Sequence, residues 1–407
     1  MTNNNTDAAS ICTTSASDMP PSIANHLYEN GAFMIFLNVP QTTEFGIDYK
    51  SWHVGPKFLG LKMIPPGIHF IFFSVKTAPR IGFFHHFKEK EILLRKWDPM
   101  LEDMITESCS SDEMERIRLN LKSMDNGLAP YPFETYRSWF SLSNHISVYL
   151  NLTEKTVERL RPENEYSRIT GQAELITLET EIMEKESVHG HPSSCVDRDH
   201  PNRIRFVDEQ GLPIMKIREG FQIRFTELPL DTVTDAKNSL DRSWQLHKIL
   251  VDLNGEWSEF LGELQFSFVC FLMGQVYEGF EQWKRLIHLL CSCTKELIEH
   301  KELYMALIPV LHFQLRECPE DFFVDIVSRD NFLTTTLTRL FGNINGKQVE
   351  MTSFLDDARQ IGVVDLFATV VDLLKIIANY NQSVYQRHVR VTDNNISSSL
   401  NSGELGI

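Results

Sequence analysis

The stretch IPPGIHFIFFSV, residues 64–75, carries the strongest fold signal in the chain. Proline fixes φ and has no amide hydrogen for a strand ladder, whereas glycine accepts positive φ, so Pro65-Pro66-Gly67 predicts a tight turn. The apolar run after the turn is rich in phenylalanine and isoleucine, which favour strands. The stretch therefore predicts two strands that meet at this turn.

Similar apolar runs surround this stretch between Gly31 and Asp98. They read FMIFLNV from Phe33, IGFFHHF from Ile81 and EILLRKW from Glu91, with proline or glycine between them at intervals of about ten residues. Short strands at even spacing are typical of a β-sandwich or barrel. We therefore predict a β-sandwich-like N-terminal domain.

The pattern becomes helical after Asp98. Ser110-Ser111-Asp112 can cap a helix that runs to about Met124 and stops at Gly127. The apolar residues of this helix recur at helical spacing: Met114, Ile117, Leu121 and Met124. Two further short helices are expected between Phe133 and Leu160.

Residues from Asp235 to Tyr380 also have helical periodicity, and roughly five to seven packed helices would bury their apolar faces. One face carries Trp257, Phe260, Leu261, Leu264, Phe268, Phe271 and Leu272, and a later face carries Val363, Leu366, Phe367, Val370, Leu373, Leu374 and Ile377. Pro309 interrupts the pattern, which predicts a kink or a helix boundary.

These patterns predict an α+β multidomain protein, with the β-sandwich-like domain followed by an all-helical C-terminal domain. Pro162–Gly220 is polar and irregular, and long loops of this kind usually connect domains. The expected parts are a disordered tail at 1–24, a β-rich domain with trailing helices at 25–165, a linker at 166–220, an all-helical domain at 221–382 and a flexible tail at 383–407.

Charge and composition argue against several classes of protein. The 407 residues include 55 acidic and 39 basic ones, a net charge of −16, which repels a phosphate backbone and disfavours bulk nucleic-acid binding. A hydrophobic share of 42% with 27 phenylalanines is enough for folded cores. The longest uncharged apolar stretch, Leu264–Tyr277, has 14 residues, fewer than the ~20 that a membrane helix needs.

The ends and the cysteines of the chain bear on its compartment. The N-terminus lacks the basic start and the apolar block of a secretory signal, so an intracellular protein is expected. Seven cysteines without a CxxC pair predict neither a disulfide framework nor a zinc ribbon. Cys291 and Cys293 project to nearly opposite sides of a helix, which is unsuited to a shared ion.

The common catalytic motifs GxxxxGK[ST], GxGxxG, HExxH and GxSxG do not occur in the sequence. We expect no enzyme, no catalytic residue and no cofactor. His189, His191, Cys195 and His200 are zinc-ligand types, but their spacing matches no standard site. A solvated loop without metal is favoured, and a metal hydrolase built on this loop is an alternative.

Aromatic and basic residues interleave in YKSWHVGPKFLGLKM, residues 49–63. Bases stacked on the rings, with Lys50, Lys57 and Lys62 on phosphates, would make a single-stranded RNA-binding surface. Because the chain is acidic, a strand face that contacts a protein is preferred, and direct RNA binding is the alternative. Trp52 either anchors an interface or plugs the β domain.

The block EFGIDYKSWHVGPKFLGLKMIPPGIHF, residues 44–70, resembles the AAR-two family, also called the mating-type A-one cistron-splicing factor. Further blocks agree in the same order: GLAPYP from Gly127, IRFTELP from Ile223, GELQFSFVCFL from Gly262, YEGFEQWKRL from Tyr277 and DFFVDIVSRDNFL from Asp321. The resemblance covers roughly residues 25–382.

The resemblance implies a pre-mRNA splicing factor that is a non-enzymatic assembly chaperone of the U-five small nuclear ribonucleoprotein, in the cytoplasm and nucleus. Family members bind the spliceosomal scaffold PRP-eight at its ribonuclease-H-like and Jab/MPN-like domains, and they hold off the helicase BRR-two until maturation. The expected partners are therefore PRP-eight and U-five assembly intermediates, with no membrane and no direct nucleic-acid binding.

Candidate partner contacts lie in three segments. The first block supplies Glu44, Phe45, Asp48, Trp52 and Lys57, and the DFFVDIVSRDNFL block supplies Asp325, Arg329 and Asp330. In the resembled family the C-terminal tail can add a strand to partner sheets. The alternating tail segment VYQRHVRV could do so here by β-augmentation, through His388, Val389, Arg390 and Val391.

Overall fold

The computed structural model describes most of the two regions predicted to be folded. The described residues are 20–76, 78–100, 103–105, 111–147, 155–164, 167–170, 175–177, 215–217, 220–229, 241–318 and 332–346. They divide into two compact units. The first unit takes in the described residues up to Thr226 together with Val269–Phe280, and the second takes in those of Glu227–Phe268 and those from Glu281 onward.

The first unit is built mainly from strands. Its first elements are α1 (Pro21–Asn30), β1 (Ala32–Leu37), β2 (Glu44–Ile47), β3 (Lys50–His53), β4 (Gly60–Ile64), β5 (Gly67–Ser74), β6 (Ile81–Phe87), β7 (Ile92–Asp98) and β8 (Asp103–Ile105). The later ones are α2 (Ser111–Met124), β9 (Leu128–Pro130), α3 (Tyr136–Ser143), α4 (Thr156–Leu160), β10 (Ile169–Thr170), β11 (Leu175–Thr177) and β12 (Met215–Ile217). Short 3-10 turns cover Asp125–Gly127 and Phe133–Thr135.

Two five-stranded sheets confirm the predicted β-sandwich-like domain. Sheet A has the strand order β8-β7-β1-β4-β9, and sheet B has the order β10-β6-β5-β2-β3. Every pair in sheet B is antiparallel, whereas in sheet A β1 is parallel to β7 and β4 is parallel to β9.

Strand β1 is buried on both faces because its side chains alternate between two cores. Met34 and Phe36 belong to the core between the two sheets, whereas Phe33 and Ile35 belong to a second core packed against α2. The side of α2 that covers this second core is the predicted one: Met114, Ile117, Leu121 and Met124. Sheet A therefore lies between sheet B and helix α2.

Glycine permits two tight features of the sheets. The predicted turn at Pro65-Pro66-Gly67 joins β4 to β5, and Gly67 has a φ of +137°, as a turn glycine should. Gly60 has the same φ, and a Cβ there would collide with the carbonyl oxygen of Met34 in β1. Only glycine lets β4 approach β1 this closely.

The prediction that the segment from Pro162 is irregular is wrong for part of it. Strand β10 pairs with β6 at the edge of sheet B, and β11 pairs with β12 as a separate two-stranded sheet. Arg168 forms an ion pair with Asp103 of β8, and its amide donates to Asn164 Oδ1 at 2.7 Å. Strands of two or three residues are too short to give a readable alternation, so the sequence pattern missed them.

The remaining described elements are helices: α5 (Ser243–Asp252), α6 (Trp257–Leu272), α7 (Tyr277–Cys291), α8 (Glu296–Glu299), α9 (Lys301–Glu317) and α10 (Phe332–Gly346). Four residues of the predicted face of α6 are fully buried, Phe260, Leu261, Leu264 and Phe268, but Glu263, Gln265 and Ser267 are buried as well, so this helix is enclosed on all sides and not along one face only. The later predicted face, 363–377, lies outside the described residues. Helix α9 continues through Pro309, so the helix boundary predicted there as one alternative is wrong. No helix in the described ranges combines the length and apolar character needed to cross a bilayer.

A buried hydrogen-bond network around Asp48 joins the two sheets. Asp48 lies in the two-residue turn between β2 and β3. Its carboxylate accepts hydrogen bonds from the Phe70 amide at 2.9 Å and the Tyr131 hydroxyl at 2.6 Å, and Nδ1 of His69 lies 2.7 Å away. Nε2 of His69 lies 2.8 Å from the carbonyl oxygen of Pro65. Asp48, His69 and Tyr131 are at most 1% exposed.

The partners of His69 fix its role in this network. Nδ1 faces the Asp48 carboxylate and Nε2 faces the Pro65 carbonyl oxygen, so both ring nitrogens are engaged within the core. Trp139 of α3 stacks on this ring at 6.4 Å and donates from its indole nitrogen to the Ile68 carbonyl at 2.9 Å. The Asp48 network therefore ties the β2–β3 turn to β5, to the segment after β9 and to α3.

We predict that Asp48→Asn lowers the free energy of unfolding of the first unit by about 3 to 5 kcal/mol, because it breaks the buried pair with His69 and replaces an accepting carboxylate oxygen by a donating amide nitrogen. Asparagine suits this test because it tolerates the left-handed φ of 53° at Asp48. Urea unfolding measures the change in the free energy of unfolding. Hydrogen exchange, read out on peptides from residues 31–98, monitors the unfolding of the first unit.

The matched control is Asp125→Asn. Asp125 pairs with Lys62 at 2.5 Å, but its side chain is 42% exposed. An exposed pair contributes at most about 1 kcal/mol, so the control should unfold close to wild type. Equal losses in the two variants would contradict a special role for the Asp48 network.

Candidate partner-contact surface

The predicted contact residues of the EFGID block do not all lie at the surface. Phe45 and Asp48 have no exposed area. Alternation along β2 directs Phe45 into the core between the sheets, and the Asp48 carboxylate is enclosed by its hydrogen-bond donors. Neither side chain is available to a partner, so these two predictions are corrected. Both residues are part of the core that underlies the hairpin.

The exposed part of this region is the β2–β3 hairpin and the loop after it. We call Glu44, Trp52, His53 and Lys57 the hairpin surface. Strand β3 is the last strand of sheet B within the described residues, so one side of its backbone pairs with no other described strand. An open strand edge can accept an added strand from a partner.

Glu44 holds a fixed negative charge at this surface. Its carboxylate accepts hydrogen bonds from Arg80 Nη2 at 2.6 Å and from the Ser51 hydroxyl at 2.9 Å. Partial burial raises the pKa of Glu44, but these hydrogen bonds and the charges of Arg80 and His53 outweigh burial and leave the pKa below its ordinary value. The carboxylate is therefore ionised and held in one orientation at neutral pH.

Trp52 and Lys57 differ in how far they are exposed. The Trp52 ring is half-buried and meets the Phe45 ring edge to face at 6.0 Å. Its buried part covers the edge of the core, as one of the two alternatives predicted, and its role as an interface anchor stays a prediction. Lys57 is exposed, and its ammonium group belongs to none of the ion pairs among the described residues.

The structure does not favour the RNA-binding alternative. Of the three lysines proposed to meet phosphates, Lys50 is paired with Glu134 and Lys62 with Asp125. Base stacking needs open ring faces, whereas the three aromatic residues of the 49–63 stretch are half-buried: Tyr49, Trp52 and Phe58. The geometry suits a protein partner better than bare RNA.

Several predicted sites lie outside the described residues. These are the C-terminal contacts Asp325, Arg329 and Asp330, the tail residues His388, Val389, Arg390 and Val391, and the loop residues His189, His191, Cys195 and His200. They stay predictions.

The cysteines within the described ranges do not have the properties of reactive thiols. Cys270, Cys291, Cys293 and Cys318 are buried. Burial raises the pKa of each thiol, that of Cys318 to about 12. They are protonated at neutral pH, whereas a nucleophile or metal ligand has to be a thiolate.

One group of described side chains does have the spacing of metal ligands: His247, Glu296 and His300. No sequence pattern predicts this group, because His247 lies on α5, far from the other two residues along the chain. The only local signal was Glu296 and His300 at the spacing of one helical turn.

Two family models match the chain. The AAR2 N-terminal domain matches residues 30–162, and the AAR2 C-terminal repeat region matches residues 227–364. Together they cover more than half of the 407 residues.

Relatives from animals and yeast agree with these matches. Protein AAR2 homolog of Caenorhabditis elegans is 54% identical over 329 residues, 80% of this chain and 90% of the relative. Protein AAR2 homolog of Homo sapiens is 40% identical over 356 residues, 83% of this chain and 89% of the relative. A1 cistron-splicing factor AAR2 of Saccharomyces cerevisiae is 23% identical over 303 residues, 70% of this chain and 77% of the relative. The resemblance seen in the sequence blocks is thereby confirmed, and the chain belongs to the AAR2 family.

Proposed function

We propose that this chain is a pre-mRNA splicing factor that acts as a non-enzymatic assembly chaperone of the U-five small nuclear ribonucleoprotein. It binds the PRP-eight scaffold, at its ribonuclease-H-like and Jab/MPN-like domains, and holds off the BRR-two helicase until maturation. It acts inside the cell, in the cytoplasm and nucleus. The observation that carries the proposal is membership of a family whose yeast relative is named a splicing factor.

The charge of the chain supports a partner that handles RNA. Proteins that bind phosphate backbones do so with lysine and arginine, and a net charge of −16 complements such basic surfaces. Complementary charge speeds docking and rejects wrong partners more than it adds affinity. An acidic chaperone can therefore cover an RNA-binding site until RNA or another protein replaces it.

The hairpin surface supports a protein contact on the first unit. Its half-exposed Trp52, with the charges of Glu44 and Lys57 around it, resembles an interface with an aromatic anchor and a polar rim. The Asp48 network lies directly below and orders the hairpin before binding. Binding then costs little conformational entropy.

The buried polar groups of the first unit support binding over catalysis. His69 is bonded at both ring nitrogens, so it has no free nitrogen with which to act as a general base. Its pairing with Asp48 resembles part of a catalytic triad. In a triad the other ring nitrogen faces a nucleophile, whereas here it faces the carbonyl oxygen of Pro65. This histidine has a structural role.

We predict that the tagged full chain captures the PRP-eight scaffold and U-five proteins from cell extract, and that nuclease treatment leaves the capture unchanged. The physical reason is that the contact joins two folded proteins. Mass spectrometry of the captured material, with and without nuclease, provides the measurement.

Two variants locate the contact. Trp52→Ala combined with Lys57→Glu should reduce capture at least about tenfold, since loss of an interface anchor costs about 2 kcal/mol or more. Lys122→Glu is the matched control, because it makes the same charge change on an exposed residue of α2 and should bind like wild type. Loss of capture after nuclease, or RNA retained at about 0.15 M salt and released by Trp52→Ala, would contradict the proposal.

A further inference from the structure

Three side chains of the second unit lie close together. His247 lies on α5, Glu296 is the first residue of α8, and His300 lies between α8 and α9. His247 Nδ1 is 3.7 Å from Glu296 Oε1, and His300 Nε2 is 3.1 Å from Glu296 Oε2. One ligand atom from each residue lies within 4.8 Å of the others.

Glu296 is the unusual member of this group. Its side chain is only 4% exposed, yet its Oε2 atom receives no properly oriented hydrogen bond from the described residues. The nearby His300 nitrogen is close enough, but the pair lacks hydrogen-bond geometry. A buried carboxylate oxygen without a donor costs free energy, which a cation at this point would recover.

A second layer of hydrogen bonds fixes the position of Glu296. The Ser243 hydroxyl, at the start of α5, accepts hydrogen bonds from the amides of Lys295 at 3.0 Å and Glu296 at 3.3 Å. The same hydroxyl donates to Asp241 Oδ1 at 2.6 Å, and that oxygen also accepts the Thr294 amide at 3.0 Å. His247 follows Ser243 by one helical turn, so it shares the face of α5 that meets α8.

We propose that His247, Glu296 and His300 form a site for a divalent transition-metal ion of the zinc class. Two imidazole nitrogens and one carboxylate oxygen are a donor set that zinc accepts, whereas calcium and magnesium prefer oxygen alone. Tetrahedral zinc at its usual bond lengths separates neighbouring ligand atoms by about 3.3 Å. His247 and His300 approach different oxygens of the Glu296 carboxylate, at 3.7 and 3.1 Å, and both distances are close to this spacing.

The exposure of the ligands suits metal entry. The His247 side chain is 62% exposed, so its ring can turn toward an ion that arrives from solvent. The bound ion would tie α5 to α8 and to the start of α9. Because the unfolded chain does not assemble these three ligands, zinc would stabilise the folded state in proportion to its affinity.

Zinc chloride titrated into the metal-free full chain against a chromophoric chelator tests the site. The wild type should bind one equivalent of zinc. The affinity for this zinc ion should be at least tenfold lower in His247→Ala and in His300→Ala. Both side chains are partly exposed, so these variants should fold, which far-ultraviolet circular dichroism checks. Zinc should also raise the melting temperature of the wild type and leave that of His300→Ala unchanged.

The double variant His189→Ala, His191→Ala is the matched control, because it removes the same residue types from a different part of the sequence. It should bind zinc with wild-type affinity, unlike His300→Ala. The site is disproved if the wild type binds no zinc at micromolar concentrations, or if both single variants keep wild-type affinity. Loss of the equivalent in the control alone would place the metal elsewhere.

Discussion

The carboxylate of Asp48, enclosed between two sheets, sets the main constraint on the first unit. A carboxylate without exposed area is tolerable only when hydrogen-bonding groups surround it. Here those groups are the Phe70 amide and the His69 ring, both in β5, and the Tyr131 hydroxyl beyond β9. The turn, the central strand of sheet B and the end of sheet A are therefore coupled, and disturbing one of them weakens the others.

This dependence connects the core to the proposed function. The sequence blocks that carry the family resemblance meet at Asp48, since one block contributes Asp48 and His69 and the GLAPYP block contributes Tyr131. The surface that a partner would touch consists of the neighbouring side chains, Glu44, Trp52 and Lys57, which the Asp48 network holds in place.

Much of the fold could be predicted from periodicity, because burial repeats along a helix or strand. The stripe from Met114 to Met124 is confirmed for that reason, whereas α6 is buried on all sides and not only along its predicted face. Asp48 could not be read in this way, since its partners His69 and Tyr131 lie 21 and 83 positions away. A polar residue in a short turn resembles a surface residue until its distant partners are known.

Two other features also depend on packing or on distant residues, and local sequence patterns do not predict them. Pro309 removes one hydrogen bond from α9, but the residues on both sides of it, Ile308 and Val310, are buried, and their packing keeps the helix continuous. The group of His247, Glu296 and His300 joins a residue of α5 to two residues far along the chain, so no motif predicts it. Local pattern identifies elements, whereas sites built from distant residues need the structure.

We propose that the hairpin surface, held by the Asp48 network, contacts a folded spliceosomal protein. A photoreactive amino acid at position 57, used in the full chain in splicing extract, tests this contact directly. We predict crosslinks to a protein of the U-five particle that survive nuclease and are absent when the label is at position 122. Crosslinks to RNA alone, or equal crosslinks from both positions, would contradict it.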